Sequence, residues 1–452
     1  MSRDGFLVDL GQRAPVLTDV SARAAAATDR SGLLPATSPF AVVAATGVEH
    51  VVATLDLAHE HRVGVVVRGG GTGLAGGAVA DESVLVLDVS GLRDLRIDVA
   101  NHRAVSGPGV LTADLDAAAR RQGLFYAPDP ASAAISTIGG NVATNAGGFR
   151  CVSYGVTRDA VLGLTAVLPG GAVVSTGAGT VKDVVGYDLT SLLVGSEGTL
   201  GVVVEATLRL LPTPSAVATA SALLDDAGAA VAAVAELGAS GVRPAVCELV
   251  DGPTLAAIDD LRGSDVASRG GALLLVQTHG SGASADIGVV TEVLRRHAVS
   301  VATTTDEREA EQLFAARRDA LPALEKRGRV LIEDIAVPRD QVALAVARIA
   351  EIAAEHRVPI FVLAHAGDGN LHPIVLTDVG PRDPLPPGVV AAADAVFALA
   401  LELGGSVSGE HGVGLLKREW ARRQLGPEAV ALAERIRSVF DPHGILNPGK
   451  FL

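Results

Sequence analysis

Apolar residues recur at helical spacing across Val48–His61, where Val51, Val52, Leu55 and Ala58 share one face, and this predicts a helix. On either side the pattern changes. Short apolar runs at residues 63–67 and 84–89 alternate with glycine-rich turns, as buried strands do. Residues 1–37 read as a helical lead-in, and the mixed pattern then runs from Phe40 to Pro214. Residues 160–181 carry no charge and are long enough to span a bilayer. Pro169-Gly170-Gly171 interrupts them, so the segment predicts a hairpin with a strand on each side of a turn.

Leu211-Pro212-Thr213-Pro214-Ser215 is a breaker cluster and marks a first domain boundary. Beyond it, helices are predicted over residues 225–237, 286–297, 307–324, 341–356 and 390–403, and strands over 246–250, 273–278, 331–337 and 360–363. The alternation predicts an α+β second domain, with residues 381–388 as a loop. The tail over 440–450 is turn-rich yet apolar, which predicts docking rather than disorder. No internal repeat is visible.

Composition narrows the function classes. The 452 residues are 48% apolar and 19% charged, as in a folded multi-domain protein. Net charge is −14, and the only lysines are Lys182, Lys326, Lys417 and Lys450, so no basic surface for nucleic acid is expected. Cys151 and Cys247 form no CxxC pair, which excludes a thiolate metal site and fits a reducing compartment. Two cysteines also cannot supply the four thiolates of an iron–sulfur cluster. The opening Met1-Ser2-Arg3-Asp4-Gly5 lacks a basic run leading into an apolar stretch, so a cytoplasmic location is expected, with peripheral membrane association as the variant.

The chemistry begins at Arg68-Gly69-Gly70-Gly71-Thr72-Gly73-Leu74-Ala75-Gly76-Gly77. Its GxGxxG matches the nicotinamide-dinucleotide fingerprint on paper. A parallel βαβ unit, however, needs a crossover of about a dozen residues holding a helix. About seven residues separate Gly76 from the next apolar run, and they include Gly77, Asp81 and Ser83. No Gly-Lys-Ser/Thr follows either, which excludes a Walker loop. What remains is a turn rich in backbone N–H groups and poor in side chains, able to approach an anion closely. Two further glycine clusters lie at residues 137–148 and 195–201, surfaces suited to a long dinucleotide touched along its length.

His365-Ala366-Gly367-Asp368-Gly369-Asn370-Leu371-His372 follows an apolar strand, and Ser408-Gly409-Glu410-His411-Gly412-Val413-Gly414 comes later. Two histidines and a carboxylate can form a three-ligand divalent-metal site with open positions. Spacing alone leaves that open, since His-x6-His pairs arise by chance and Asp368 can simply cap a turn.

The order of these motifs resembles the flavoprotein superfamily typified by vanillyl-alcohol oxidase. Within it the chain is similar to the branch of D-lactate dehydrogenase, the glycolate oxidase flavin subunit and D-2-hydroxyglutarate dehydrogenase. The likeness runs from about Pro39 to Leu452 and includes Pro128-Asp129-Pro130, the stretch 182–189 and Asn447 to Lys450. It implies an α+β fold: a two-subdomain FAD-binding domain of the PCMH type over 1–214, a substrate (cap) domain with an antiparallel sheet over 215–404, and a C-terminal helical segment over 405–452 packing back on the flavin domain. It implies FAD contacts from Gly70, Gly71, Thr72, Gly73 and Leu74 to the diphosphate, and from Ser136, Gly139, Gly140 and Asn145 to the flavin. Glu197, Gly198, Gly201 and Val202 would serve the adenosine half, with Asn447 also at the cofactor. No histidine adjoins the glycine turn, so the FAD is expected to be non-covalent.

The same resemblance makes His365, His372 and Glu410 the expected ligands of zinc or manganese and His411 the expected base. The implied reaction is oxidation of a small D-2-hydroxy acid to the 2-oxo acid, with hydride passing to flavin N5. A substrate carboxylate calls for a guanidinium. Arg317 and Arg318 are adjacent on a helix, so at most one faces a given site, and the family position matches Arg317. Dicarboxylate-specific relatives carry a lysine before the acidic residue of the next strand. Val330-Leu331-Ile332-Glu333-Asp334 has none, which favours D-lactate or glycolate over D-2-hydroxyglutarate. The electron acceptor is left open among oxygen, quinone, a cytochrome and an electron-transfer flavoprotein. So is the assembly: a homodimer, or the flavin subunit of a larger glycolate oxidase-type complex. A non-redox relative, alkyl-dihydroxyacetonephosphate synthase, is disfavoured by Gly409-Glu410-His411, where it has successive histidines. Lys182 is expected in a structural ion pair.

Overall fold

The helix read over Val48–His61 has those bounds in the computed structural model, which describes residues 3–452. Met1 and Ser2, part of the lead-in, lie outside the described residues. The helix buries Val51, Leu55 and Ala58 and stops at Arg62, whose left-handed backbone (φ 53°) donates its N–H to the carbonyls of Ala58 and His59. The chain divides into two units. One comprises the residues up to Gly147, Gly155–Thr213 and Glu410–Leu452; the other comprises Gly148–Tyr154 and Pro214–Gly409.

The first unit has two main sheets. A four-stranded sheet runs Val16–Leu17, Ala41–Ala44, Val84–Asp88, Gly64–Arg68, with the last three strands mutually parallel. Val84–Asp88 is central, so its near-continuous apolar run is buried on both faces. Leu85 and Leu87 are wholly inaccessible, each stabilising by roughly 1.5–3 kcal/mol. Here one expectation fails. Gly64–Arg68 and Val84–Asp88 are parallel although no helix joins them; the irregular chain over 69–83, the glycine turn itself, makes the crossover. The turn is therefore a connection in a parallel sheet, but not a Rossmann helix entry.

The five-stranded sheet is antiparallel, in the order Leu95–Asp98, Arg103–Ser106, Val202–Arg209, Val161–Val167, Val173–Thr176. Its last two strands are the hairpin read over 160–181, and among the described residues no helix is long and apolar enough to cross a membrane. The tail is docked: Leu446 bridges Val65, and Asn447 donates its N–H to the carbonyl of Val65. Lys182 corrects its expectation. It is exposed in a loop with Val184 and Tyr187, 96% and 94% exposed, and it makes no ion pair with a described residue.

The second unit is built on an eight-stranded antiparallel sheet. Its main order is Ala298–Thr304, Val217–Leu224, Ala272–His279, Val246–Asp251, Ile360–His365, Asn370–Thr377, Arg329–Ile332, with Ile335–Ala336 also on Asn370–Thr377. Helices pack against it, Glu307–Glu325 burying Phe314, Ala320 and Leu324 in a core with Val250, Leu275 and Leu363. The strand expected over 331–337 is split at Glu333-Asp334, because the Asp334 carboxylate turns inward to bind three donors. The mixed α+β class, the divided first unit and the antiparallel second sheet match the expected fold.

Candidate functional site

Three glycine clusters converge in the first unit. A Cβ on Gly69 would lie 2.4 Å from Thr137 Oγ1, and one on Gly70 would lie 2.5 Å from the Ile135 carbonyl oxygen. The turn thus lies directly against the backbone that carries Ser136 and leads into the Ile138–Thr144 helix. Across from it, Glu197 donates its N–H to Ala143 and Gly195 donates to Val142. From Gly69 to Gly77 no backbone N–H donates to another described residue. This strip of polar hydrogens, with the Arg68 guanidinium against Gly71, is an anion cradle in form.

Four of the polar side chains expected at the cofactor, Ser136, Asn145, Glu197 and Asn447, are engaged with the protein. Ser136 Oγ is 3.2 Å from Thr112 Oγ1, and Asn145 Oδ1 accepts the Arg158 N–H. Asn447 Oδ1 accepts the Val67 N–H, while its Nδ2 donates to the Glu197 carbonyl. The buried Glu197 carboxylate accepts the N–H groups of Val413 (2.6 Å) and Gly414 (2.8 Å). Burial raises its pKa, and those two N–H groups oppose the rise. These side chains shape walls, and the contact surface they leave is mainly glycine and backbone. A Cβ on Gly139 would strike Pro108 at 2.5 Å, and one on Gly198 would come within 2.9 Å of Asn447 Nδ2. Gly201 and Val202 lead into the Val202–Arg209 strand.

In the second unit the hairpin register explains the histidine pair. His365 pairs with Asn370 and Leu363 with His372 across the turn over 366–369, where Gly369 has φ 89°. Strand periodicity of two puts His365, His372 and Asn370 on one face. The two rings meet edge-on with centroids 5.1 Å apart, and ligand nitrogens lie within 4.8 Å. On the other side, Glu248 is in register with His365. Its Oε1 is 2.5 Å from His365 Nδ1, and its Oε2 accepts Arg317 Nε–H at 2.9 Å. Glu248 has no solvent exposure, and Arg317 is 7% exposed. The Arg317 terminal nitrogens make no hydrogen bond to a described residue, and its Cζ stands 5.3 Å from the Phe149 ring centre. Phe149 also packs edge-on against His365, at 5.6 Å. Arg318 points elsewhere, onto Glu311 at the surface.

Asp334 organises the remaining edge. Oδ1 accepts Asn370 Nδ2 at 2.7 Å, and Oδ2 accepts Ser408 Oγ at 2.8 Å and the Gly409 N–H at 2.9 Å. Asp334 Oδ1 is also 3.8 Å from His372 Nδ1. Gly409 is the last residue of this unit, and Glu410 and His411 open the next segment of the first, His411 Nε2 standing 3.9 Å from Glu410 Oε1. Within its own unit each side of this crossing is pinned by a buried carboxylate, Asp334 before it and Glu197 after it.

The sequence reading missed Glu248, Asp334 and Phe149. Both carboxylates carried a legible signal, a charge set inside an apolar strand run, which is costly unless partnered. Phe149 carried none. The donors of the second unit suit a divalent ion: imidazoles at His365 and His372, with the Glu248 carboxylate at His365 Nδ1.

Comparison with known proteins gives two family matches: the FAD binding domain over residues 39–177 and the C-terminal domain of FAD linked oxidases over 213–451. The chain is 42% identical to the glycolate oxidase subunit GlcD of Bacillus subtilis (strain 168), covering 91% of this chain and 88% of that one. It is 36% identical to a D-lactate dehydrogenase of Archaeoglobus fulgidus, covering 91% of each. Among solved structures, p-cresol methylhydroxylase superposes with a TM-score of 0.80 at 17% identity, covering 99% of this chain and 96% of that one.

Proposed function

The chain belongs to the family of FAD-linked oxidases, and we propose that it oxidises a small D-2-hydroxy acid, D-lactate or glycolate, to the 2-oxo acid. It is an FAD-binding oxidoreductase. The observation that carries the substrate reading is the buried Arg317, its terminal nitrogens without an acceptor among the described residues, sharing the Glu248 carboxylate with His365. A guanidinium fork matches a carboxylate in two parallel hydrogen bonds. An imidazole pair beside it suits the neighbouring hydroxyl through a cation.

The cradle over Gly70, Gly71, Thr72, Gly73 and Leu74 is the proposed seat of the diphosphate, with Ser136, Gly139, Gly140, Asn145, Glu197, Gly198, Gly201, Val202 and Asn447 forming the surrounding surface. When bound, FAD supplies a hydride acceptor at flavin N5. A zinc or manganese ion on His365, His372 and Glu410 would lower the pKa of a substrate hydroxyl. Arg317 binds and orients the substrate carboxylate. His411 receives the hydroxyl proton as general base. The hydrogen on Cα leaves with its electron pair, so the substrate loses one proton and one hydride. Histidine-free flanks at the glycine turn support non-covalent FAD: acid precipitation should leave the yellow colour in solution.

The absence of lysine from residues 330–334 favours a small acid over a dicarboxylate. Exposed Val181, Val184, Val185 and Tyr187 support a companion reading, that electrons pass onward within a larger assembly. Anaerobic mixing tests the main one. D-lactate or glycolate should bleach the flavin band and L-lactate should not, and a chelator should abolish bleaching until zinc or manganese is restored. Equal reduction by metal-stripped protein would remove the metal from the scheme, and a strong preference for D-2-hydroxyglutarate would overturn the small-acid assignment.

A further inference from the structure

We propose that Glu248 is a positioning residue that sets the metal-ligand histidine and the substrate-binding arginine with one carboxylate. This rests on the reading of His365 and Arg317 given above. Glu248 sits in the middle of the Val246–Asp251 strand, flanked by Cys247 and Leu249 and sealed from solvent. A buried carboxylate there costs several kcal/mol unless it is paired, and an apolar residue of similar volume is often as stable or more so. Stability alone therefore gives little reason for an acid at this position.

Geometry supplies one. An ionised carboxylate only accepts hydrogen bonds, so Oε1 requires the proton of His365 on Nδ1 and places the ring's lone pair on Nε2. A neutral histidine ligates through that lone pair, and a carboxylate behind it fixes the ring and raises its basicity. The second oxygen engages only Nε of Arg317, which orients the guanidinium while leaving both terminal nitrogens for a substrate carboxylate. Phe149 packs against both groups. Two recognition elements on different secondary structures, the Ile360–His365 strand and the Glu307–Glu325 helix, are thereby held in one frame.

Glutamine has the same shape but cannot serve both partners. Turning its oxygen to Arg317 points NH2 at Nδ1 and forces the proton of His365 onto Nε2, the nitrogen that must ligate. Turning it the other way sets NH2 against the Arg317 Nε–H. The test uses FAD-loaded wild type, Glu248→Gln and Glu248→Asp, reading manganese(II) affinity by electron paramagnetic resonance and the kcat and KM for D-lactate. E248Q should weaken manganese binding about 10- to 100-fold and raise KM at least about 10-fold, a loss of one strong substrate contact. E248D keeps the charge but is one methylene short, so it should fall between. If E248Q fails to fold, E248D carries the comparison, with the same losses at smaller size. A lowered melting temperature with unchanged manganese affinity and KM would make Glu248 a structural ion pair and overturn the proposal. Wild type that takes up neither manganese nor zinc would overturn the metal reading and the His365 half with it; the change in KM then decides the Arg317 half by itself.

Discussion

Replacing Asp334 should loosen the edge of the second unit in two graded steps. Its carboxylate is fully buried and accepts from Asn370, Ser408 and the Gly409 backbone at 2.7, 2.8 and 2.9 Å. In Asp334→Asn the remaining oxygen can keep Asn370, and the Ser408 hydroxyl can rotate to accept from the new NH2. The Gly409 N–H cannot adapt, because it would face a donor. One buried N–H left without an acceptor costs about 1–3 kcal/mol. Asp334→Ala abandons all three donors and should cost about 3–5 kcal/mol, the range for breaking a buried charged network. For a unit of this size each kcal/mol lowers the melting temperature by roughly 2–4 °C. Glu410 follows Gly409 directly, so kcat/KM should fall in both variants, by about 10-fold or more in D334N, as expected where a proposed ligand loses its anchor. Thermal melting of the FAD-loaded protein and initial rates on D-lactate read the two effects. If D334N matches wild type in both, the three hydrogen bonds do not organise this edge and the reasoning fails.

Gly73→Ala and Gly70→Ala separate fold from ligand. A Cβ on Gly73 meets nothing closer than Asp29 Oδ2 at 3.8 Å, so G73A should melt like wild type yet bind FAD about 10-fold or more weakly, about 1.4 kcal/mol; wild-type affinity would refute the cradle. G70A should lose both stability and affinity, since its Cβ collides with the Ile135 carbonyl. Arg317→Lys removes the fork while keeping charge, and kcat/KM should drop on the order of 10²-fold, chiefly through KM; an unchanged KM would dismiss Arg317 as the carboxylate receptor. Burial lowers the Lys450 pKa from 10.5 to about 8, with Asp29, Asp81 and Glu197 opposing the fall. Between those values the unfolded chain binds more protons than the folded one, so this residue's cost to stability is complete below about pH 8 and is relieved as pH rises toward 10.5. Wild type should therefore gain on Lys450→Met by up to about 3 kcal/mol across that window, measured by denaturant titration. A constant difference would show that Lys450 is not desolvated.

How much of this was legible depended on where the physical constraint acts. The Val48–His61 helix and the hairpin over 161–176 were readable, because periodicity and a Pro-Gly-Gly break act over neighbouring residues. Val217–Leu224 carries no strong strand signal: Val-Ala-Thr-Ala-Ser-Ala-Leu-Leu has three alanines at alternating positions, a weakness that sheet pairing on both sides overrides. The Gly252–Arg262 helix was also missed, although Asp251 caps it and Pro253 opens it. At the site, the motif containing His365 and His372 could be found, but the meeting of the two rings is a matter of strand register. Glu248 reaches His365 only through a pairing 117 residues distant in sequence. The parallel crossover over 69–83 was misjudged because helical crossovers are the rule, and irregular chain can do the same work where glycine relieves the sterics.

The short stretch Gly148–Tyr154 bears on how such a protein can be recombined. By position it belongs among the flavin-unit segments, yet its packing belongs with the second unit, where Phe149 lies against Arg317 and His365. A chimera that exchanges residues 214–409 between relatives and keeps the rest would bring the donor's arginine and histidine against the recipient's aromatic ring. On the proposed reading of Arg317, the inherited portion that governs substrate choice is thus discontinuous along the chain. A graft of specificity should succeed only when these seven upstream residues travel with the larger segment, a linkage that two breakpoints alone would sever.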